Sequence, residues 1–105
     1  MALPLLTPEQ RAAALTKAAA ARKARAELKV ALKSSGTTFD EVLVTGETDE
    51  AIGKMRVVAV LEAMPGVGKV RAQRIMERLE ISPSRRVRGL GVKQRAALQR
   101  EFSVQ

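Results

Sequence analysis

The sequence predicts an all-α fold, in which a long N-terminal helix precedes a small helical domain. Residues 9–33 are almost entirely strong helix formers, namely Ala, Leu, Lys, Arg and Glu. Beyond this run, apolar residues recur at three- and four-residue spacing between turn signals built from Gly, Pro, Ser and Thr. No segment shows the strict alternation of apolar and polar residues that is typical of a half-buried strand.

The first helix is predicted to begin at Pro8. Thr7 is a suitable N-cap, proline suits the first helical position, and Gln10 completes a Thr-x-x-Gln capping box. The second half of this helix has an apolar side and a basic stripe. The apolar side contains Ala24, Leu28, Ala31 and Leu32, and the basic stripe contains Arg22, Arg25, Lys29 and Lys33.

The rest of the chain is predicted to form short helices separated by turns. Thr38 should cap a helix that ends at Gly46, and Thr48 should cap a short turn that runs through Ile52 and is broken by Gly53. Further helices are predicted over about residues 56–63, 69–79 and 92–102. Their predicted core positions are Phe39, Val42, Leu43, Val57, Val60, Leu61, Met64, Val70, Ala72, Ile75, Met76, Leu79, Ala97, Leu98 and Phe102.

The composition excludes several kinds of site. Without Cys there is no disulfide, thiolate metal site or thiol nucleophile, and without His the usual metal ligand and general base are missing. No apolar run approaches the ~20 residues that span a membrane, and no charged segment precedes an apolar core as in a secretory signal. We therefore expect a non-enzymatic cytoplasmic protein that binds no cofactor, metal or membrane. The acidic residues of the middle segment lie beside turns and helix starts, where carboxylates stabilise N-termini.

The formal net charge of +8 is segregated along the chain. Residues 1–33 carry +5, residues 34–66 carry −4 and residues 67–105 carry +7. Segregated positive charge favours a polyanionic partner, because each neutralised phosphate releases condensed counterions. Single-stranded nucleic acid is usually held by stacking bases on aromatic side chains, and this chain has only Phe39 and Phe102. The predicted partner is therefore double-stranded nucleic acid that is bound through its backbone.

A candidate phosphate site lies within residues 61–79. Pro65 disfavours helix at the preceding residue, and Gly66 and Gly68 permit positive φ and close approach by another molecule. The helix that follows begins with unpaired N–H groups and a partly positive end, which suit a phosphate. A Pro-Gly turn between two helices with a solvated basic face is the simpler alternative. The basic residues of this helix are Lys69, Arg71, Arg74 and Arg78.

The segment MPGVGKVRAQRIMERLEIS, followed by RRVRGLG, resembles a helix-two-turns-helix module. Such modules occur in formamidopyrimidine-type DNA glycosylases, in the small-subunit ribosomal protein of the S13 kind and in actinobacterial integration host factor. The chain resembles the last of these over nearly its whole length, from MALPLLTPEQRAAAL through IGKM and MPGVGKV to RRVRGLG. It departs from that family's pattern at Val30, Ala31 and Val44, where charged residues are usual.

The resemblance implies a nucleoid-associated protein that binds duplex DNA with little sequence preference. Such a protein bends, bridges or compacts DNA and assists site-specific phage integration, with a phage integrase or topoisomerase as a further partner. It is expected to be monomeric in solution. The resemblance places phosphate contacts at Gly66, Gly68, Lys69 and Arg71 around the first turn, at Arg85, Arg86 and Arg88 in the second turn, and at Arg22, Lys23 and Arg25 in the first helix. The turn and the basic spacing themselves add Val67, Arg74 and Lys29 to the predicted DNA-binding residues.

Residues 1–34 are predicted to form an arm that is partly flexible without DNA. Residues 35–105 are predicted to form a helical globular domain, with the module at about 55–102. The glycosylase branch is disfavoured, because those enzymes begin with a catalytic Pro-Glu terminus and carry a Cys-bound zinc. Two alternatives remain: a protein that binds structured RNA or the ribosome, and an adaptor that binds a recombinase or topoisomerase through the acidic middle.

Overall fold

The structure is a computed structural model that describes residues 5–102, and it confirms the all-α class. Within this range no strand is present, and one isolated antiparallel bridge pairs Arg56 with Arg86. The MALP segment, which carries part of the family resemblance, lies outside the described residues, as does the C-terminal end of the predicted globular domain. The helices are α1 (Pro8–Lys33), α2 (Phe39–Thr48), α3 (Glu50–Gly53), α4 (Val57–Ala63), α5 (Gly68–Arg78) and α6 (Val92–Glu101), with a 3-10 turn at Val87–Gly89.

Helix α1 begins where the sequence predicts. The Thr7 hydroxyl accepts from the Gln10 backbone N–H at 3.1 Å, and the Gln10 side chain accepts from the Thr7 N–H at 2.9 Å, which completes the capping box. Residues 5–20 are all exposed, whereas Leu32 is only 1% exposed. The C-terminal part of α1 is therefore anchored in the core, and its N-terminal half extends along the surface.

The core draws apolar residues from each of these six helices. One predicted core position is wrong: the side chain of Val70 is 64% exposed. The buried face of α5 passes through Ala72, and a residue two positions earlier in a helix points to nearly the opposite side. The buried apolar residues are Leu32, Phe39, Val42, Leu43, Ile52, Met55, Val57, Val60, Leu61, Ala72, Ile75, Met76, Ile81, Val87, Leu90 and Leu98.

Two predicted helix boundaries are also wrong. Gly46 does not end α2 but is buried inside it, and a Cβ atom at this position would lie 2.8 Å from Cγ1 of Val87. The glycine thus lets the 3-10 turn pack closely against α2. The N-cap of α3 is Asp49 rather than Thr48, since the Asp49 carboxylate accepts from the Ala51 N–H at 2.9 Å. Both residue types are good N-caps, so the sequence did not distinguish them.

Helix α5 ends in a left-handed residue that is not glycine, namely Glu80 at φ 56°. A side chain in this conformation is strained, and a negative charge at a helix C-terminus is unfavourable. Glu80→Gly should therefore raise the free energy of unfolding by roughly 0.5–1 kcal/mol in urea titrations, even though glycine favours the unfolded chain. The control Glu77→Gly lies inside the helix and should lower it by a similar amount. A destabilised Glu80→Gly variant would contradict this account of the helix end.

Candidate nucleic-acid interface

The first turn of the module joins α4 to α5. Gly66 and Gly68 have φ values of 74° and 68°, a region that other residues rarely adopt. A Cβ atom added at either glycine would find no other atom within 4 Å. The backbone conformation therefore favours glycine at both positions, and the space beside them is open to another molecule.

The start of α5 is suited to bind an anion. Its N-cap is Val67, whose side chain makes no capping hydrogen bond, so the first N–H groups of the helix remain available. The partial positive charge of the helix end adds to that of the exposed Lys69. Nη1 of Arg71 donates to the Gly66 carbonyl at 3.3 Å, which places the guanidinium at the turn. The predicted phosphate site thus has both donors and space.

The second turn lies against the start of α4. The Val57 N–H donates to the Arg85 carbonyl at 2.9 Å, and the Val87 N–H donates to the Met55 carbonyl at 2.9 Å. Because the first turn follows the C-terminal end of α4, the two turns lie at opposite ends of this short helix. At a rise of 1.5 Å per residue, the two ends of this seven-residue helix are about 10 Å apart.

Arg85 and Arg86 are exposed in the second turn. Nη1 of Arg85 donates to the Gly89 carbonyl at 3.0 Å, and Nη1 of Arg86 donates to the Lys54 carbonyl at 2.6 Å. A guanidinium has five N–H donors, so each side chain is held in position and keeps further donors for a phosphate.

Arg88 has different surroundings. Its Nε donates to the Gly46 carbonyl at 3.2 Å, and its guanidinium lies against Gly53, where an added Cβ would come within 2.8 Å of Nε. The side chain therefore connects the 3-10 turn to α2 and α3. The sequence indicated Arg88 only as a DNA contact, because its acceptor lies 42 positions earlier in the chain.

Helix α1 brings part of its basic stripe alongside α4. One surface depression extends from Lys29 and Lys33 to the first turn, and a second extends from Arg25 and Lys29 to Arg56 and Arg86. Both depressions share Lys29 and Ala59, so they form one continuous surface, which we call the α1–α4 groove.

The groove separates the predicted α1 residues into two groups. Arg25 and Lys29 line it, whereas Arg22 and Lys23 are exposed elsewhere on the helix. Arg56 also lines the groove and was not among the predicted site residues. In the sequence its one nearby cation is Lys54, and the fold brings it close to Arg86 of the second turn and to Arg25 and Lys29 of α1.

Some basic residues form ion pairs with carboxylates, in contrast to most of those that line the groove. Glu50 accepts from Lys54 at 2.7 Å and lies 3.7 Å from Lys17, and the Lys54 hydrogen bond and the charge of Lys17 lower the pKa of the Glu50 carboxyl. Within residues 5–102, the remaining cations of the groove take part in no ion pair. The other ion pairs join Arg78 to Glu101 at 2.6 Å and Arg95 to Glu47 at 3.1 Å.

No group of His, Cys, Asp or Glu residues in this part of the chain is arranged to hold a metal ion.

Comparison with known proteins identifies the family. Residues 32–102 match the S13-like H2TH domain. Integration host factors from Streptomyces coelicolor and Mycobacterium tuberculosis are 67% and 65% identical to the chain over 102 residues, which cover 97% of this chain and 95% and 97% of the relatives. The chain belongs to the integration host factor family. Integration host factor from Mycolicibacterium smegmatis is 66% identical over the same length.

A solved structure shares the integration host factor fold of this chain. It is described as sIHF bound to an 8bp palindromic DNA, and it superposes with a TM-score of 0.82 at 61% sequence identity. The match covers 84% of this chain and 99% of that chain. The family and the helix-two-turns-helix module predicted from the sequence are confirmed, whereas the assignment of individual DNA contacts stays a prediction.

No helix within residues 5–102 is long and apolar enough to cross a membrane.

Proposed function

We propose that this protein is a non-enzymatic, nucleoid-associated protein of the cytoplasm that binds double-stranded DNA. One observation carries the proposal: both turns of the module and three residues of the basic stripe of α1, Arg25, Lys29 and Lys33, open onto the same groove. A single stretch of duplex backbone would then reach all three elements. The DNA-bound state of the related sIHF structure supports this choice of partner.

Affinity is expected to come mainly from Lys and Arg contacts to phosphates, with the free N–H groups of α5 as further donors. Such contacts fix the position of a protein on DNA without reading its sequence. The described residues of the groove include no Asn or Gln, the residue types that pair with adenine edges. Sequence preference should accordingly be small.

Three basic residues of α1 support a role in bending, bridging or compacting DNA. Arg11, Arg22 and Lys23 are exposed cations outside the groove. They are placed to contact a bent continuation of the bound duplex or a second duplex. In the cell, a monomer acting in this way would assist site-specific phage integration, with a phage integrase or topoisomerase as its protein partner.

Structured RNA is the second candidate ligand, because the domain that matches is S13-like. The A-form RNA helix also presents phosphates to a basic surface, so the groove by itself fits both nucleic acids. The scarcity of aromatic residues argues against RNA loops, whose unstacked bases are usually held by aromatic side chains.

The test is fluorescence anisotropy with random-sequence duplex DNA, single-stranded DNA and structured RNA of equal length over a salt series. We expect the duplex to bind most tightly, with a slope of log K against log salt between about −4 and −7, since each phosphate contact contributes about −0.9. Similar affinities for unrelated duplexes should accompany this slope. If structured RNA binds more tightly than duplex DNA, the partner is RNA rather than DNA. A salt slope near zero would exclude binding through phosphate contacts.

A further inference from the structure

The module itself leaves a gap in positive charge between its two turns. Helix α4 has the sequence VVAVLEA, in which the single charged residue is Glu62. Its two ends are about 10 Å apart, so a phosphate backbone that contacted both turns would pass over a neutral to acidic segment. The cations that could fill this gap must come from another element.

Helix α1 supplies them at matching intervals. Arg25, Lys29 and Lys33 recur every four residues and therefore lie on one side of the helix. Lys33 shares a depression with Ala63 at the C-terminal end of α4, and Arg25 shares the other depression with Arg56 at the N-terminal end. The two helices thus run side by side in the same direction, and the stripe follows α4 from one turn to the other.

We propose that Arg56, with Lys29 and Lys33, forms a phosphate track that joins the two turns into one continuous contact with the DNA backbone, and that Glu62 weakens binding along this track. The inference rests on the proposed function, because it specifies how duplex DNA occupies the groove. It adds three positions, Arg56, Lys33 and Glu62, to the residues expected from the family resemblance.

Arg56 has a fixed backbone and an available side chain. Its backbone is paired with Arg86 and forms the N-cap of α4, and its side chain is exposed. Within the described part of the chain, this side chain has no hydrogen-bond or ion-pair partner. A cation at a helix N-terminus opposes the helix dipole, and here it also lies near Arg25 and Arg86. These repulsions disfavour folding, and a bound polyanion would relieve them. A role in DNA binding therefore accounts for a cation at position 56 better than a role in stability does.

Glu62 is the only acidic residue among those lining either depression of the groove. It lies near Lys29 and Lys33 at the first-turn end, yet among residues 5–102 it forms no ion pair with them. A bound phosphate at this end would meet the Glu62 carboxylate as a like charge. Glu62 should therefore lower the affinity of the groove for duplex DNA.

The test compares Arg56→Gln, Lys29→Gln and Glu62→Gln with the control Lys93→Gln, by anisotropy with the same duplex over a salt series. Lys93 is an exposed cation of α6 outside the groove, so its replacement changes the net charge equally. We expect Arg56→Gln and Lys29→Gln to bind about 5- to 10-fold more weakly and to lose about 0.9 from the salt slope each. Glu62→Gln should bind several-fold more tightly, and Lys93→Gln should stay within about twofold of the wild type.

Urea titrations separate this role from a structural one, because Arg56→Gln should be as stable as the wild type or more stable. If Arg56→Gln and Lys29→Gln bind like Lys93→Gln, or Glu62→Gln binds no more tightly than the wild type, the track is wrong. In that case the steep salt dependence of the wild type would still support duplex binding. A wild-type protein that fails to bind duplex DNA would instead overturn the proposed function itself.

Discussion

Gly68→Glu should lower the affinity for duplex DNA by about 100-fold, which corresponds to about 2.7 kcal/mol. The substitution places a carboxylate in the open space beside the first turn, where it would repel a phosphate and cover the free N–H groups of α5. Anisotropy measures the affinity, and circular dichroism should show unchanged helical content.

The control for this variant is Gly68→Asn. Asparagine tolerates the positive φ of 68° better than most residues and carries no charge. It should retain binding within about fivefold, because it adds a side chain at the turn without a negative charge. A folded Gly68→Glu variant with wild-type affinity would exclude the first turn as a phosphate site, and an equal loss in both variants would assign the effect to the backbone.

Replacing Arg85 and Arg86 together with Ala should weaken duplex binding by about 100-fold and reduce the salt slope by about 1.8. Both side chains are exposed in the second turn, where Arg86 lines the end of the groove, and the residues whose carbonyls accept from them are exposed as well. Stability should therefore change little in urea titrations, since surface hydrogen bonds contribute modestly. An unchanged salt slope would exclude the second turn from the interface.

Arg88→Ala should behave differently from that double variant. Its loss would leave the Gly46 carbonyl unpaired in the packed region between the 3-10 turn and α2, so the free energy of unfolding should fall by about 1–2 kcal/mol. The triple variant lacking Arg85, Arg86 and Arg88 should then match the double variant in salt slope. A further decrease of about 0.9 would show that Arg88 also contacts a phosphate, as the family resemblance predicts.

The features that the sequence predicted correctly are determined by neighbouring residues. The capping box of Thr7 and Gln10 and the turn at Gly66 and Gly68 depend on groups within a few positions, which the sequence displays directly. The all-α class follows from helix propensity and spacing in the same way. The motif pattern identified the family, since its members share spacing over the whole chain.

The features that the sequence did not reveal depend on contacts between distant segments. Gly46 is required by the approach of Val87, and Arg88 donates to a carbonyl 42 positions earlier in the chain. The α1–α4 groove likewise exists because Lys29 packs near Ala59. A glycine or a cation looks the same in the sequence whether it ends a helix, packs against a neighbour or binds a ligand.

The extended half of α1 has a consequence for measurements of size. The radius of gyration is 16.0 Å, whereas a compact globule of 100 residues has about 13 Å. By the same scaling, 16.0 Å corresponds to a compact protein of roughly 185 residues. A monomer of this shape should therefore elute from a gel-filtration column earlier than a compact protein of the same mass. The subunit count, with and without DNA, has to be taken from light scattering or sedimentation equilibrium, which report mass independently of shape.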